Sequence, residues 1–520
     1  MDQGAKGVFR HWADEVAESV VAAGRPAVLS TGISPSGDIH IGNLREVLTA
    51  DAVYRALRDR HVRTRFTYVC DNLDPLRRIY PFLEASVYGP LVGRPLSEIP
   101  CPCGDHRSYG DHFLAPFLVS LERLRIDVEL ERADEMYRSG RMTPCIVLAL
   151  ESRDRIAAIL SELTGKKTED EWSPFQPLCA SCGRINQARV IGFSARESTV
   201  DYACACGSTG TLPMAGGGKL TWRVDWPARW KVLDVTVEPF GKDHSTRGGS
   251  YDTGVRIVRE VFGAEPPLPV PYEWIALKGK GDMSSSKGNV LSIERALDLV
   301  PPDALRYMVL REKPQKSIGF DPGPAILKLM DEMEDPTAMG RDERALELSR
   351  VAGHEPLGVP FRHLVVVAQA ANFDAGQVTA TLARSGYPGL SPERVAERLP
   401  YARRWLEELA PEEMRFEVRK ELPPETQSLG AEQRRFLARL SETLEGEMDG
   451  ERIHAIVYAI AAEFPSTKPA DLFQAIYLSL LGKPRGPRAG WFVSVLGPKF
   501  CAERFHEAAM AAAPSDGKAS

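Results

Sequence analysis

The order of predicted segments between residues 27 and 69 constrains the fold more than any other feature of this chain. An apolar run at 27–31 predicts a buried strand, and a loop rich in Gly, Pro and Ser follows at 32–38. Apolar residues at helical spacing predict a helix from about 40 to 58, and residues 64–69 predict a second strand. Strand, helix and strand in this order form a βαβ unit, so the strands are expected to be parallel. The predicted fold class is therefore α/β.

The remaining sequence predicts an interrupted sheet domain and a helical half. Prolines, cysteines and charged segments dominate 91–215, as expected of an insertion, and sheet-like character returns near 231–237. Almost every long segment after residue 325 has helical spacing, which predicts an all-α bundle. The predicted divisions are 1–90 and 216–270 for the two halves of the sheet domain, 91–215 for the insertion, 271–325 for a connecting domain and 326–515 for the bundle. The helices predicted after residue 325 are 325–334, 360–372, 377–384, 392–409, 431–445, 452–464 and 470–481.

Charge and hydropathy limit the partners of the chain. The formal net charge is −6, so any contact with RNA must come from local basic patches rather than from a global attraction. The sequence has neither a signal peptide nor a run of about 20 apolar residues, which predicts a cytoplasmic protein without a membrane span. Candidate phosphate contacts are Lys166, Lys167, Arg311, Lys313, Lys316 and the stretch Lys483–Arg488. A charge run is usually a solvated face, but the last stretch is the better candidate because it joins helices of the predicted bundle.

The first loop, residues 34–43, has the sequence SPSGDIHIGN and lies between a predicted strand and a predicted helix. Ligands bind at this edge of parallel sheets, and Gly37 and Gly42 allow a close approach of the backbone. His40 lies at the start of the helix, where backbone N–H groups and the helix dipole favour a phosphate. Its imidazole can donate a hydrogen bond to phosphate oxygens that gain charge during a reaction. The alternative is that His40 only caps the helix.

The second loop, residues 280–289, has the sequence KGDMSSSKGN and also follows a predicted strand. A Ser/Gly loop that carries Lys287 can close over a triphosphate and neutralise its charge during a reaction. The alternative for a lone lysine in such a loop is a flexible linker.

Together, the two loops resemble the HIGH and KMSKS signatures of the class I aminoacyl-tRNA synthetases. The strings SGDIHIGN at 36–43 and MSSSKGN at 283–289 resemble the class I type of lysyl-tRNA synthetase, in which Asn replaces the last signature histidine, as Asn43 does. The resemblance covers essentially the whole chain, although Asp282 departs from the lysine that is usual in the family. A class I synthetase of another type, such as the glutamyl type, and a non-catalytic paralogue remain alternatives.

The resemblance implies a Rossmann-like catalytic domain with a zinc-bearing insertion that binds the acceptor end of tRNA, followed by an anticodon-binding bundle. The implied reaction is ATP-dependent activation of L-lysine to lysyl-adenylate and its transfer to tRNA(Lys). Mg²⁺ is expected with ATP, and a monomer is expected. His40 and Lys287 would stabilise the transition state by electrostatics and positioning. The implied ATP-binding residues are Pro35, His40, Gly42, Asn43, Ser285, Ser286 and Lys287.

A pocket for lysine needs a partner for the ammonium group and an aromatic wall for the aliphatic stem. Family positions that match such a pocket are Gly32, Ser34, Trp222, His244 and Tyr272. Two acidic residues complete the prediction, because Glu46 can hold the side-chain ammonium and Asp243 can hold ribose or the α-amine. By contrast, Trp226 and Trp230 are expected to pack in the core.

The nine cysteines include paired turns that are typical of metal sites. Cys179, Cys182, Cys204 and Cys206 form a C-x-x-C and a C-x-C, a suitable set for a structural zinc, with four free thiols as the alternative. A second cluster lies at 101–112, where the family resemblance suggests a zinc held by Asp, Cys and two His. The expected ligands are Cys101, Asp105, His106 and His112, with Cys103 able to replace Cys101 or Asp105 and a metal-free loop as the alternative.

Overall fold

A computed structural model describes residues 11–169, 171–277, 281–282, 291–335, 338, 340–446 and 448–511. The chain forms two compact units. The sheet unit comprises Met1–Leu297, Leu305–Phe320 and Asp342–Val351, and the helical unit comprises Asp298–Ala304, Asp321–Arg341 and Ala352–Ser520. Within the described residues, no helix combines the length and apolar character needed to cross a bilayer.

Strands are concentrated in the first two thirds of the chain, and helices occur throughout. In chain order, the strands are β1 (Ala27–Ile33), β2 (Thr64–Cys70), β3 (Glu129–Arg132), β4 (Phe175–Pro177), β5 (Ala188–Ser194), β6 (Thr199–Cys204), β7 (Thr209–Pro213), β8 (Gly218–Leu220), β9 (Val237–Gly241), β10 (Leu268–Tyr272), β11 (Ile275–Leu277), β12 (Gly281–Asp282) and β13 (Ile318–Phe320). The helices are α1 (Trp12–Ala22), α2 (Ile41–Asp59), α3 (Ala85–Tyr88), α4 (Tyr109–Arg123), α5 (Ala133–Arg138), α6 (Thr143–Glu151), α7 (Arg153–Thr164), α8 (Trp222–Leu233), α9 (Ser250–Glu260), α10 (Ile293–Leu299), α11 (Pro302–Leu310), α12 (Pro324–Glu334), α13 (Glu343–Ser349), α14 (Phe361–Ala370), α15 (Ala375–Arg384), α16 (Pro392–Glu408), α17 (Ala431–Thr443), α18 (Gly450–Ala462), α19 (Pro469–Leu481), α20 (Ala489–Leu496) and α21 (Pro498–Met510).

A five-stranded parallel sheet forms the centre of the sheet unit, with strand order β10-β9-β1-β2-β3. The predicted βαβ unit is confirmed, because β1 and β2 pair in parallel and α2 connects them. The predicted strand at 231–237 is wrong for most of its length, since α8 continues to Leu233 and β9 begins only at Val237. The reversal of strand order between β1 and β9 opens a crevice at the carboxyl ends of these strands, where ligands bind in such sheets.

The insertion contains a separate antiparallel sheet of β5, β6 and β7. It is framed by β4 and β8, which pair antiparallel from Phe175 opposite Leu220 to Pro177 opposite Gly218. The core next to it includes Phe175, Leu220 and Val224, all buried, so the frame is anchored by apolar packing.

The helical unit is an all-α bundle, as predicted. Its core joins Phe436 and Leu440 of α17 to Phe505 of α21, and it includes Phe492 of α20. These side chains are completely buried, and removing apolar area of this size from water is the main stabilising contribution in such a bundle.

Candidate active site

The first loop leaves β1 at its carboxyl end and enters α2 through His40, which is the N-cap of that helix. The Nδ1 atom of His40 accepts a hydrogen bond from the backbone of Gly42 at 3.1 Å, and the side chain of Asn43 accepts one from the His40 backbone at 3.1 Å. Such a reciprocal cap stabilises a helix start by about 1 kcal/mol. His40 and Asn43 are therefore helix caps, and this structural role is compatible with a catalytic one.

The same cap fixes the proton of the His40 imidazole. Because Nδ1 accepts a hydrogen bond, the proton of the neutral ring lies on Nε2. Burial lowers the pKa of His40 to about 4, so the ring is neutral at physiological pH. The neutral imidazole can therefore donate a hydrogen bond through Nε2–H without first being protonated.

Residues 281–282 of the second loop are described, as is the chain from residue 291, which meets the first loop. The backbone of Ile41 donates a hydrogen bond to the carbonyl of Leu291 at 3.2 Å, and His40 forms an antiparallel bridge with Ser292. Within the loop, β12 pairs with β11. The predicted ATP-binding residues of this loop, Ser285, Ser286 and Lys287, lie outside the described residues.

A cavity of about 320 Å³, the sheet-unit cavity, opens beside the first loop between β1, β9 and α8. Five of the predicted lysine-binding residues line it, namely Gly32, Ser34, Glu46, Trp222 and His244. Tyr272 contacts this group through Glu46, whereas Asp243 is exposed and lies outside the lining. The structure therefore gathers six of the seven residues.

Glu46 is held at the cavity by two donors. The backbone of Gly32 donates to one carboxylate oxygen at 2.9 Å, and the hydroxyl of Tyr272 donates to the other at 2.7 Å. Burial raises the pKa of Glu46 to about 7. Among the described residues, no cation forms an ion pair with this carboxylate, so it is suited to receive an ammonium group from a ligand.

Position 32 requires glycine because the backbone approaches β2 closely. A Cβ atom at Gly32 would lie 2.8 Å from the carbonyl oxygen of Val69, which is too close for any side chain. The absence of a side chain leaves the Gly32 N–H accessible to Glu46.

The wall of the sheet-unit cavity is aromatic. Trp222 stacks on Trp226 with ring centroids 5.3 Å apart and planes at 14°, and His244 lies 5.4 Å from Trp226. Trp222 is 41% exposed and Trp226 only 5% exposed, so the stack runs from the rim into the core. The prediction that Trp226 and Trp230 are buried is confirmed, but both also line the cavity.

A buried charge network, which the sequence did not indicate, lies at the same cavity. The ammonium of Lys219 contacts Asp71 at 2.8 Å and Asp74 at 2.5 Å, while Arg229 contacts Asp71 at 2.9 Å and also pairs with Asp225. The network reaches the first loop, because the hydroxyl of Ser34 donates to Asp74 at 2.6 Å. The position of Asp71 directly after β2 was a usable signal, since the carboxyl ends of parallel strands lie at the ligand edge.

The four cysteines of the insertion meet in one cluster with tetrahedral dimensions. The sulfur atoms of Cys179 and Cys206 are 3.7 Å apart, and those of Cys182 and Cys204 are 3.8 Å apart. Four sulfurs at about 2.3 Å from a tetrahedral zinc lie about 3.8 Å from one another. This donor set fits zinc and leaves no coordination position for a water.

The second cluster differs from the prediction in one ligand. Its four candidate atoms belong to Cys101, Cys103, His106 and His112, and Asp105 is not among them. The sulfur of Cys103 lies 3.3 Å from Nδ1 of His106 and 3.2 Å from Nδ1 of His112. A turn at Gly104, with φ of +83°, places both sulfurs on the side of the histidines, so Cys103 takes the position expected for Asp105.

Comparisons with known proteins identify the family. The family model described as tRNA synthetases class I (K) matches residues 10–351. The chain is 49% identical to "Lysine--tRNA ligase 1" of Methanosarcina acetivorans, covering 96% of this chain and 98% of that protein. It is 48% identical to "Lysine--tRNA ligase" of Archaeoglobus fulgidus, covering 96% and 100%. A glutamate tRNA ligase structure from Elizabethkingia meningosepticum aligns over 93% of this chain and 99% of its own, with 12% identity and a TM-score of 0.41. The chain therefore belongs to the class I tRNA synthetase family of the K type.

Proposed function

We propose that this chain is a lysine–tRNA ligase that activates L-lysine with ATP and transfers the lysyl group to tRNA(Lys). The observation that carries the proposal is Glu46, a half-buried carboxylate without an ion-pair partner among the described residues, in a cavity with an aromatic wall. The names of the two relatives support the same substrate. A cytoplasmic location and a monomeric state remain predictions from the sequence.

In the proposed first step, an oxygen of the lysine α-carboxylate attacks the α-phosphorus of ATP, and pyrophosphate leaves. The Nε2–H of His40 donates to the phosphate oxygens as they gain charge, and the dipole of α2 adds a positive potential at the N-terminus of the helix. Lys287 supplies positive charge from the second loop. Mg²⁺ enters with ATP as part of the substrate. The remaining ATP contacts proposed are Pro35, Gly42, Asn43, Ser285 and Ser286.

In the proposed second step, a hydroxyl of the terminal ribose of tRNA attacks the carbonyl carbon of lysyl-adenylate, and AMP leaves. The enzyme forms no covalent intermediate, so its contribution is orientation and charge stabilisation. The stem of lysine would lie along Trp222 while its ammonium is held by Glu46. Asp243 is a proposed contact of ribose only if it turns toward the cavity, since its side chain is exposed and outside the lining.

The charge of the cavity favours lysine over the glutamyl alternative. A glutamate side chain would enter beside the carboxylates of Glu46 and Glu238, and like charges in a buried site repel strongly. Arg229, the buried cation of the lining, is engaged by Asp71 and Asp225.

We propose a structural zinc at each four-ligand cluster. Cys179, Cys182, Cys204 and Cys206 would tie the ends of β4 and β6 together, and the metal would supply cross-linking in place of a large core. The cluster at 101–112 would do the same for the loop before α4.

We also propose that the helical unit reads the anticodon, through a cavity of about 890 Å³. Trp491, Tyr387 and His363 give it aromatic faces on which bases can stack. Arg485 and Arg488, from the basic stretch noted in the sequence, line its rim and are exposed. This combination of aromatic stacking surfaces with peripheral arginines suits unpaired nucleotides.

Pyrophosphate exchange with tRNA present, run across the twenty amino acids, tests the proposed function. We expect lysine alone to give rapid exchange, with the Lys287→Ala variant at least about 100-fold slower. Exchange with glutamate instead of lysine would establish the glutamyl alternative. No exchange and no tRNA charging with any amino acid would establish the non-catalytic one.

A further inference from the structure

The sheet-unit cavity is lined by a second buried glutamate that the proposed mechanism does not use. Glu238 lies on β9 and is only 7% exposed. Its strand pairs in parallel with β1, and Val237 stands opposite Leu29. Glu238 is therefore the neighbour of the residue that pairs β9 with the strand leading into the first loop. Both Glu238 and Glu46 line the same 320 Å³ cavity.

Two indole groups hold the carboxylate of Glu238. The Nε1–H of Trp226 donates to one oxygen at 2.8 Å, and the Nε1–H of Trp230 donates to the other. Trp226 is also the ring on which Trp222 stacks, so Glu238 orients the aromatic wall. The indole N–H groups point at the carboxylate, which leaves their ring faces for other contacts.

Among the described residues, neither Glu46 nor Glu238 forms an ion pair with a cation. The nearby guanidinium of Arg229 forms its ion pairs with Asp71 and Asp225 instead. Burial, with a further contribution from the charge of Glu46, raises the pKa of Glu238 to about 8. Two neighbouring carboxylates without an ion pair are costly to ionise, and a cation that enters the cavity reduces that cost.

We infer that Glu238 is a second determinant of substrate specificity, which together with Glu46 forms an acidic pair that selects an amino acid with a cationic side chain. The inference rests on the proposed function. Glu238 acts in two ways: the bound ammonium favours its ionised form, whose charge then stabilises the ammonium, and its hydrogen bonds position the tryptophans that contact the aliphatic stem. Glu46 holds the ammonium directly, and Glu238 is a positioning residue behind the wall.

Pyrophosphate exchange by the full chain with tRNA present tests this role, with lysine and norleucine as competing amino acids. Norleucine is lysine without the terminal ammonium. In Glu238→Gln we expect the KM for lysine to rise at least about 10-fold while kcat changes less than about threefold, because a ground-state charge interaction is lost. The preference for lysine over norleucine in kcat/KM is expected to fall by about the same factor as the KM rises. Glu265→Gln, which removes an exposed carboxylate, is the matched control and leaves both values unchanged.

Glu238→Asp separates charge from packing and also covers the case in which Glu238→Gln does not fold. It keeps the charge but draws it back from the indoles. We expect its preference for lysine over norleucine to stay within about threefold of wild type even if both KM values rise.

Three results would overturn the inference. Glu238→Gln could use lysine with the KM of wild type, it could lose lysine and norleucine activity by the same factor, or Glu238→Asp could lose the preference for lysine. The wild-type protein serves as the separate test of function: without lysine-dependent exchange in it, the proposed function fails before Glu238 is tested.

Discussion

The backbone N–H of Ile41 donates a hydrogen bond of 3.2 Å to the carbonyl oxygen of Leu291, which joins the first turn of α2 to the chain just after the second loop. Ile41 follows the proposed phosphate donor His40, and Leu291 stands four positions after Lys287 in the sequence. The two segments, linked in the sequence only by their resemblance to a pair of signatures, are thus neighbours in the fold.

His40→Asn separates the two roles of this residue. Asparagine is a good N-cap, so the helix start is retained and the melting temperature is expected to stay within a few degrees of wild type. The Nε2–H donor is lost, and kcat for adenylate formation is expected to fall by about 100- to 1000-fold. Single-turnover kinetics and thermal unfolding measure the two effects. Activity within about tenfold of wild type would show that His40 is a helix cap alone.

The affinity for lysine is expected to depend on pH through Glu46. Burial raises its pKa from the usual 4.5 to about 7, so the carboxylate of the ligand-free protein is largely protonated below that pH. Its neighbours Tyr272 and Glu238 do not supply an opposite charge. Calorimetric titration is expected to show lysine binding tightening as pH rises from 6 to 8 and to show a weaker dependence in Glu46→Gln. If Glu46→Gln kept the pH dependence of the wild type, a group other than Glu46 would be responsible for it.

The same shift has a consequence for stability. Because the folded-state pKa lies above the unfolded one, the contribution of Glu46 is fully present below about pH 4.5 and is lost as pH rises through about 7. Lysine offsets this loss by binding the ionised form. The rise in melting temperature on adding lysine is therefore expected to be larger at pH 8 than at pH 6. An equal rise at both values would contradict this expectation.

Metal content distinguishes the ligand set observed at 101–112 from the set predicted from the sequence. Two zinc ions per chain are expected in the purified protein, one for each cluster. Cys103→Ser is expected to retain one, whereas Asp105→Asn is expected to retain both. Elemental analysis after extensive dialysis gives the counts. Loss of a zinc ion from Asp105→Asn, with Cys103→Ser unaffected, would show that Asp105 is a ligand, as the sequence analysis predicted.

Lys219→Met tests the buried network. The substitution keeps the length of the side chain but leaves Asp71 and Asp74 without the ammonium, and breaking a buried pair in this way costs about 3–5 kcal/mol. Urea unfolding measures the change in the free energy of unfolding. Lys231→Met, at an exposed position of α8, is the control and is expected to change it by less than about 0.5 kcal/mol. Equal changes in the free energy of unfolding would show that Lys219 contributes no more to stability than an exposed lysine.

Trp491→Ala tests the helical-unit cavity as the anticodon site. Loss of one stacked base costs about 1–3 kcal/mol, which corresponds to a KM for tRNA about 5- to 150-fold higher. Tyr458→Ala removes a half-exposed aromatic of the same unit outside this cavity and is expected to have little effect. A tRNA transcript with an altered anticodon should reduce the difference between Trp491→Ala and wild type. An unchanged KM in Trp491→Ala would place anticodon reading elsewhere.

Local patterns predicted much of the fold. The βαβ unit and the helices after residue 325 were predictable because apolar spacing reports which face of an element is buried, and the predicted helix bounds lie within two residues of those observed. Three helices, α13, α20 and α21, were missed, and α20 is separated from α21 only by Gly497. The prediction for 231–237 was wrong because Leu233, Val235 and Val237 recur at a strand-like period of two, while tertiary packing extends α8 to Leu233.

The site was predictable where a motif stands on a single element and was not where distant segments meet. Glu46 was found because it lies in the second turn of the helix that His40 caps. The contact between Lys219 and Asp71 joins residues 148 positions apart, and no local pattern predicts such a pair. Asp105 was preferred over Cys103 for lack of the turn geometry at Gly104, which sequence spacing does not reveal.

The pairing of β4 with β8 brings the two ends of the segment 178–217 next to each other. The chain leaves the main body at Pro177 and returns at Gly218, and these two residues stand directly opposite each other. The ribbon between them is also held along its side, because the backbone of Ile185 donates a hydrogen bond to the carbonyl of Gly93 and buried Val200 and Met214 belong to the core of the sheet unit. Deleting the ribbon would therefore expose apolar core surface to water, even though its two ends could be rejoined by a short turn.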